Sequence, residues 1–190
     1  MGLEEIFNIP NLIDYSRMIL LLASVFCENL PFVALYSLSV GMDYFDGMAA
    51  KYFNQATVLG SCLDMVIDRV STMVICFKIA GTKVNHQKKC IFYVLFDFIS
   101  HFIYFISMIL VKTHHKSFQG NYLLNIYYNN LFLKIMCTGS ELCFIATYYL
   151  KKENVMVRML QLIALVKTFF HLVHFCVGVD LLSEIKTHGD

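Results

Sequence analysis

Six long apolar runs constrain the fold of this chain of 190 residues more than any other feature of its sequence. A helix needs about 20 predominantly apolar residues to cross the roughly 30 Å hydrocarbon core of a bilayer. Each run approaches that length and is continuous, which is typical of membrane-spanning helices. We therefore predict one all-α, polytopic integral membrane domain over residues 1–190, with six transmembrane helices. The runs lie at about 12–27, 31–50, 57–79, 89–111, 131–150 and 155–182.

The amino-acid composition favours the same fold class. Hydrophobic residues make up 58% of the chain and charged residues 15%, whereas a soluble domain carries about 25% charged residues. The formal net charge of +1 gives no indication of a nucleic-acid partner. Basic residues divide evenly between the loops of the two sides, so the positive-inside rule leaves the orientation open. The polar connection 112–130 is predicted to lie at the membrane interface, where it could act as a lid.

Four aspartates lie inside the second and third runs, where charged groups are costly and usually functional. Asp43 and Asp46 are three apart, and Asp64 and Asp68 are four apart, so each helix presents a carboxylate pair on one face. The pairs are mirrored about position 55, so an antiparallel turn there would bring all four carboxylates together. Clustered hard oxygen ligands suit Mg²⁺ or Mn²⁺, and four carboxylates can hold two such ions.

The residues around the acids leave structural alternatives open. The aspartates could form ion pairs with Arg69 or Lys78 instead of binding metal. Gly47, Ala50 and Gly60 thin the two helices beside the acids. Such small residues permit close helix packing, and they also leave room for a phosphate or nucleotide to approach the backbone.

The acids belong to a longer pattern, which resembles the signature of the CDP-alcohol phosphotransferase family, D-x2-D-G-x2-A-R-x8-G-x3-D-x3-D. Residues 43–68 match seven of its eight fixed positions at the required spacing. The exception is Lys51 where the family has Arg; Lys keeps the charge but lacks the planar fork that binds phosphate bidentately. Further pieces are similar to the eukaryotic phosphatidylinositol synthase branch of this family, and they lie in segments 10–17, 97–101, 120–128 and 139–142.

The resemblance implies a transferase of phospholipid biosynthesis, which moves the phosphatidyl group of CDP-diacylglycerol to myo-inositol and releases CMP. It implies a homodimer in the endoplasmic reticulum membrane, with a divalent-metal site that faces the cytosol. By position in the motif, two Mg²⁺ or Mn²⁺ ions would be bound by Asp43, Asp46, Asp64 and Asp68, and Asp68 would also be the general base. The residues implied in binding CDP-diacylglycerol are Asn11, Arg17, Gly47, Lys51 and Thr57.

Inositol recognition is expected to come from other polar residues, because a polyol needs several polar groups in one pocket. Asp97 and His101 are four apart and share a helical face, and Glu141 lies in the fifth run. These three are candidates for binding inositol hydroxyls, with hydrogen bonding between helices as the alternative. His171 and His174 in the last run are interpreted as structural or interfacial, with no metal assigned.

Two other functions remain open from the sequence. A member of the same family could use another alcohol, such as glycerol phosphate or serine, although the acidic candidate pocket favours an uncharged polyol. A cation transporter could use the aspartates as its ion path. The eight-residue spacer of the motif, Gly47 and Ala50 would then have no role, which makes the transporter the weaker alternative.

Overall fold

A computed structural model describes residues 3–111, 121–150 and 154–184. Within these ranges the chain is helical, no strand is present, and a 3-10 turn at Val84–His86 leads into α5. The helices are α1 (Leu3–Ile6), α2 (Ile9–Val25), α3 (Asn29–Tyr52), α4 (Val58–Thr82), α5 (Gln87–Leu110), α6 (Tyr122–Tyr127), α7 (Asn130–Tyr149) and α8 (Val155–Glu184).

All six predicted runs form long helices, and their ends lie within about three residues of the predicted positions. The first helix shows why an observed helix end differs from the end of its apolar run. The side chain of Asn8 caps α2, with its Oδ1 accepting a hydrogen bond from the Asn11 amide at 2.9 Å. Pro10 fits the first turn of that helix because it has no N–H to satisfy. The cap therefore places the start of α2 before the apolar run itself.

Three helical segments in the described ranges are long and apolar enough to cross a membrane: Val84–Leu110, Asn130–Tyr149 and Val155–Glu184. These segments make the chain an integral membrane protein. The other three long helices do not meet the same criterion, because α2 has 17 residues and α3 and α4 contain the four aspartates. The predicted count of six spans is therefore not confirmed by length and composition.

The chain divides into two compact units, residues 1–78 and residues 79–190. In the first unit α2 packs along α3 around the fully buried Leu21, Phe32 and Tyr36. Lys78, near the C-terminal end of α4, donates a hydrogen bond to the Cys27 carbonyl and pairs with Glu28, both at 2.8 Å. These contacts tie α4 to the turn between α2 and α3, and they engage Lys78 away from the aspartates.

The second unit is built on the packing of α5 and α7 against α8. Its buried cluster includes Met108 of α5 and Phe170 and Val173 of α8. Gly178 lies at the closest approach of α5 and α8, because a Cβ there would lie 2.9 Å from the backbone N and Cα of Tyr104. The two helix backbones can therefore touch only where α8 carries no side chain.

The predicted interfacial connection 112–130 is described from residue 121 onward. Asn121 caps the short helix α6 by accepting a hydrogen bond from the Leu123 amide at 2.9 Å. Leu124 and Tyr127 of α6 are buried in the same cluster as α8. This part of the connection is thus packed within the second unit, and residues 112–120 of the predicted lid lie outside the described residues.

Replacing Gly178 by Ala should destabilise the protein, because the new methyl group would meet the backbone of α5. Overpacking of this kind costs about 1–3 kcal/mol. We expect a lower unfolding midpoint for Gly178→Ala in detergent solution, measured by the loss of monodisperse protein after heating. Gly81→Ala is the matched control, since a Cβ at Gly81 has open space within 4 Å. Equal midpoints for the two variants would contradict the close approach of α5 and α8.

Candidate active site

The turn between α3 and α4 lies where the mirrored acid spacing predicts it. α3 ends at Tyr52 and α4 begins at Val58, with Asn54 in the left-handed region at φ 53°. Gln55 fixes this turn to the start of α2, because its Oε1 accepts a hydrogen bond from the Ile9 amide at 3.1 Å. The antiparallel arrangement of α3 and α4 is therefore set by a short turn that is anchored on a third helix.

The four motif aspartates converge. Carboxylate oxygens of Asp43, Asp64 and Asp68 lie within 4.8 Å of one another, and those of Asp46 and Asp64 lie equally close to Asp14. Asp64 belongs to both groups and so links them. The side chains of Asp43, Asp64 and Asp68 are 46%, 32% and 35% exposed, whereas that of Asp46 is 9% exposed. The cluster thus has an open side and a buried side.

The guanidinium of Arg17 lies among these acids, with 1% of its side chain exposed. Arg17 projects from α2, and Ser39 of α3 donates a hydrogen bond to its backbone carbonyl at 2.8 Å. Five carboxylates surround the guanidinium, which satisfies several of its donors at once. The ion pairs run from Nη1 to Asp14 (3.0 Å), Asp46 (2.5 Å) and Asp64 (3.2 Å), and from Nη2 to Asp43 (2.7 Å) and Asp68 (2.8 Å).

The counter-ion of the acids differs from those considered from the sequence. Nη2 of Arg69 lies 3.8 Å from Oδ2 of Asp68, a longer contact than any that Arg17 makes with the acids. Arg17 was identified from the sequence as a lipid-phosphate ligand, and the structure places it inside the acid cluster. Asp14 was missed, although its spacing of three residues from Arg17 in an apolar run is a signal for a buried ion pair.

The donor set of the cluster fits a hard divalent cation. Every ligand atom on the open side is a carboxylate oxygen, which is the donor that Mg²⁺ and Mn²⁺ prefer. One guanidinium cannot balance five carboxylates, so the acids still repel one another. The cluster therefore has the chemistry and the excess negative charge of a metal site, with Asp43, Asp64 and Asp68 the most accessible ligands.

The two glycines of the motif have different surroundings. A Cβ at Gly60 would lie 2.9 Å from Oδ1 of Asn11 and 3.3 Å from Oγ1 of Thr57, so Gly60 allows α4 to approach α2. A Cβ at Gly47 would have nothing within 4 Å. Close packing therefore explains Gly60, and the free space at Gly47 agrees with the approach of a ligand. Lys51, one turn further along α3, is exposed.

Asn11 and Thr57 organise the backbone near the acids. Asn11 is fully buried, and its Nδ2 donates to the Glu5 carbonyl at 2.9 Å. Its Oδ1 is buried without a hydrogen-bond partner among the described atoms. Thr57 caps α4 by accepting a hydrogen bond from the Gly60 amide at 3.0 Å. Both residues thus shape the chain at the junction of α2 and α4.

A second polar group lies in the second unit. Oδ1 of the buried Asp97 lies 3.2 Å from Nε2 of His171 and 3.5 Å from Nδ1 of His101. The predicted shared face of Asp97 and His101 is confirmed, since Nδ1 of His101 also contacts the Asp97 carbonyl oxygen at 2.9 Å. Ligand atoms of these three side chains lie within 4.8 Å of one another, a spacing that could hold a metal ion. Glu141 of α7 lies outside this group.

The two histidines of α8 differ in their surroundings. His171 packs against Asp97, which the sequence alone did not indicate because the two residues lie on different helices. His174 is fully buried, and its Nε2 lies 2.9 Å from the Tyr128 hydroxyl. Its ring also packs edge-on against Tyr104 and Tyr127. The structural interpretation thus describes the contacts of His174 well, while His171 joins the polar group around Asp97.

Comparisons with known proteins place these residues in a wider context. The family model for CDP-alcohol phosphatidyltransferases matches residues 7–174. A CDP-diacylglycerol–inositol 3-phosphatidyltransferase of Candida albicans is 37% identical over 158 residues, which cover 77% of this chain and 67% of the relative. The protein of that name from Schizosaccharomyces pombe is 36% identical, covering 76% of this chain and 64% of the relative. The human one is 34% identical, covering 76% and 72%.

The matched region therefore spans about two thirds of the length of these relatives. The family match at residues 7–174 includes the four motif aspartates, Arg17 and the Asp97 group. No solved structure matches the chain significantly.

Replacing Arg17 by Gln should destabilise the first unit, because five carboxylates would lose their shared cation. Removing one partner of a buried ion pair costs about 3–5 kcal/mol. We expect a lower unfolding midpoint for Arg17→Gln in detergent with EDTA, and a larger rise of that midpoint on adding Mn²⁺ than in the unmodified protein. Lys88→Gln, which removes an exposed positive charge, is the control. An Arg17→Gln variant that matches the unmodified protein in both measurements would contradict this role of the guanidinium.

Proposed function

The chain belongs to the CDP-alcohol phosphatidyltransferase family, and we propose that it is a phosphatidylinositol synthase. In this proposal it transfers the phosphatidyl group of CDP-diacylglycerol to myo-inositol and releases CMP. The names of its relatives support the choice of substrates. The observation that carries the proposal is the convergence of the four motif aspartates from α3 and α4 on one cluster with an open side. Neither a scaffold nor a simple helix pair requires such a cluster.

We assign metal binding to the four motif aspartates, with two Mg²⁺ or Mn²⁺ ions as the cofactor. When bound, such ions would neutralise the diphosphate oxygens and stabilise CMP as the leaving group. The carboxylate-only donor set supports the assignment, and so does the exposure of three of the acids. The residues assigned to the metal are Asp43, Asp46, Asp64 and Asp68.

We assign the general base to Asp68. An alcohol is a weak nucleophile at neutral pH, so a carboxylate must accept its proton as it attacks phosphorus. Oδ1 of Asp68 lies 2.8 Å from Nη2 of Arg17, and Oδ2 lies 3.8 Å from Nη2 of Arg69. Both oxygens of Asp68 thus lie beside guanidinium groups, which orient the carboxylate at the edge of the cluster. Its partial exposure leaves the carboxylate accessible to a substrate hydroxyl.

CDP-diacylglycerol binding is assigned to the residues that surround the acids. The open space at Gly47 would admit the diphosphate next to the backbone of α3. The guanidinium of Arg17 already presents its donors to anionic oxygens, so it could exchange carboxylates for phosphate oxygens without leaving the cluster. Lys51 would contribute a point charge where the family motif has a guanidinium. The full set assigned to this substrate is Asn11, Arg17, Gly47, Lys51 and Thr57.

Inositol recognition is assigned to Asp97, His101 and Glu141. A buried carboxylate beside an imidazole offers both an acceptor and a donor, which suits neighbouring hydroxyls of a polyol. The contact of Asp97 with His101 supports two of the three residues. For Glu141 the support is its place in the polar part of α7, beside Ser140, whose hydroxyl accepts a hydrogen bond from Lys167 at 3.0 Å.

The proposal includes the arrangement of the chain in its membrane. All six long helices would span the bilayer, in the endoplasmic reticulum, with the metal site facing the cytosol, and two copies would form a homodimer. Pairing of the acids with Arg17 supports the insertion of α3 and α4, because it lowers the cost of carrying charges in an apolar medium. The family resemblance supports the compartment and the dimer.

Substituting Asp68 by Asn should abolish most of the activity, because the amide cannot accept the proton of the attacking hydroxyl. Loss of a general base typically lowers the rate by about 10²–10⁴-fold. The measurement is incorporation of labelled inositol into lipid by the purified variant, with Mn²⁺ binding followed in parallel. Asp180→Asn, at an exposed acid of α8, is the control. An Asp68→Asn variant that makes lipid at the normal rate would contradict the general-base role.

The choice of alcohol separates the proposed function from its closest alternative. Membranes that contain the chain should convert CDP-diacylglycerol and myo-inositol to lipid and CMP. Glycerol phosphate and serine should give no comparable product, because the residues assigned to inositol include two carboxyl groups, Asp97 and Glu141, which would repel a phosphate or carboxylate. If the membranes converted glycerol phosphate or serine in preference to inositol, that acceptor would be the substrate and the proposal of inositol would be wrong. Metal flux that needs no CDP-lipid would favour a cation transporter instead.

A further inference from the structure

A groove of about 630 Å³ runs between α5, α7 and α8, the three segments that are apolar and long enough to span a membrane. The residues that line it come from the N-terminal ends of α5 and α8 and from the C-terminal part of α7. None of the described lining residues belongs to the aspartate motif or to the Asp97 group. The groove is therefore a separate feature of the second unit, which the proposed function does not use.

The groove is basic at one end. His86, Lys89 and Arg158 line it there, from the turn before α5 and from the first turns of α5 and α8. Lys89 and Arg158 are exposed. The described residues that line the groove include no Asp or Glu, so its charge is positive. A ligand that binds at this end should carry a negative charge.

The remainder of the groove is apolar and open. Met159, Leu162 and Leu165 follow one another along α8, and each is more than half exposed. The lining continues along this helix from Val155 to Thr168, which is a length of about 20 Å at 1.5 Å per residue. That length is similar to one leaflet of a bilayer that is roughly 40–45 Å thick with its headgroups. The apolar wall thus matches the length of an acyl chain that enters from the headgroup level.

From this combination we propose that the groove binds an anionic phospholipid of the surrounding membrane. The headgroup phosphate would lie against Lys89 and Arg158, and one acyl chain would lie along Leu162 and Leu165. A zwitterionic lipid could pack its acyl chain against the apolar wall equally well, but it carries no net negative charge to pair with the basic residues at the other end. Basic pockets between membrane helices are suited to anionic headgroups for this reason. The occupant would be a bound membrane lipid and not the lipid that reacts at the aspartates.

The test uses the purified full chain in neutral detergent, with dioleoylphosphatidylserine or dioleoylphosphatidylcholine added in increasing amounts. The unfolding midpoint at each concentration gives the apparent affinity for each lipid. We expect phosphatidylserine to stabilise the protein at lower concentration than phosphatidylcholine does. Lys89→Gln and Arg158→Gln should each weaken the effect of phosphatidylserine by about fivefold, the loss expected for one basic side chain near an anionic headgroup.

Two controls make the outcome specific to the groove. Lys88→Gln removes the same charge from the neighbouring exposed position, which does not line the groove, and should leave the lipid effect unchanged. Ala164→Leu places a larger side chain in the groove and should weaken the effect of phosphatidylserine with the basic end intact. Equal responses to the two lipids would overturn the proposal. It would also be overturned if Lys88→Gln matched Lys89→Gln, or if glycerophosphoserine without acyl chains stabilised the protein as well as the lipid does.

Discussion

The pairing of Arg17 with five carboxylates holds α2, α3 and α4 together in the first unit. Arg17 and Asp14 come from α2, and the other four acids come from α3 and α4. Charges in an apolar medium are tolerated only when close pairing and hydrogen bonds offset their desolvation. One guanidinium gives each acid a partner but leaves the group strongly negative. The same interaction that permits the helices to pack therefore prepares the cluster to accept further cations.

This balance also explains why composition alone identifies fewer spans than there are long helices. α5, α7 and α8 have apolar windows, whereas α3 and α4 each carry two of the motif acids. A hydropathy criterion counts each carboxylate as if it were alone in the lipid. When the carboxylates share a buried counter-ion, their cost is lower than the criterion assumes. In the proposed six-span arrangement, α3 and α4 are thus the helices that composition recognises least well.

Much of the fold and part of the site could be predicted from the sequence because they depend on local patterns. The ends of the six long helices follow from the lengths of the continuous apolar runs, and the convergence of Asp43, Asp46, Asp64 and Asp68 follows from mirrored spacing about one turn. The position of the Arg17 guanidinium could not be predicted, since a long side chain can point in many directions from the same backbone. The contact of Asp97 with His171 depends on how α5 packs on α8, which the spacing within either helix does not determine.

The two motif glycines show how one pattern can combine different physical requirements. Gly60 allows the start of α4 to approach Asn11 of α2, where any Cβ would meet the side-chain oxygen at 2.9 Å. Arg17 lies further along the same helix as Asn11, so this close approach is made by the helix that also carries the guanidinium. Gly47 has no such neighbour and leaves space beside Asp46. A larger residue at position 60 would therefore press on Asn11 and Thr57 at the junction of α2 and α4, whereas a larger residue at position 47 would fill the space available to a ligand.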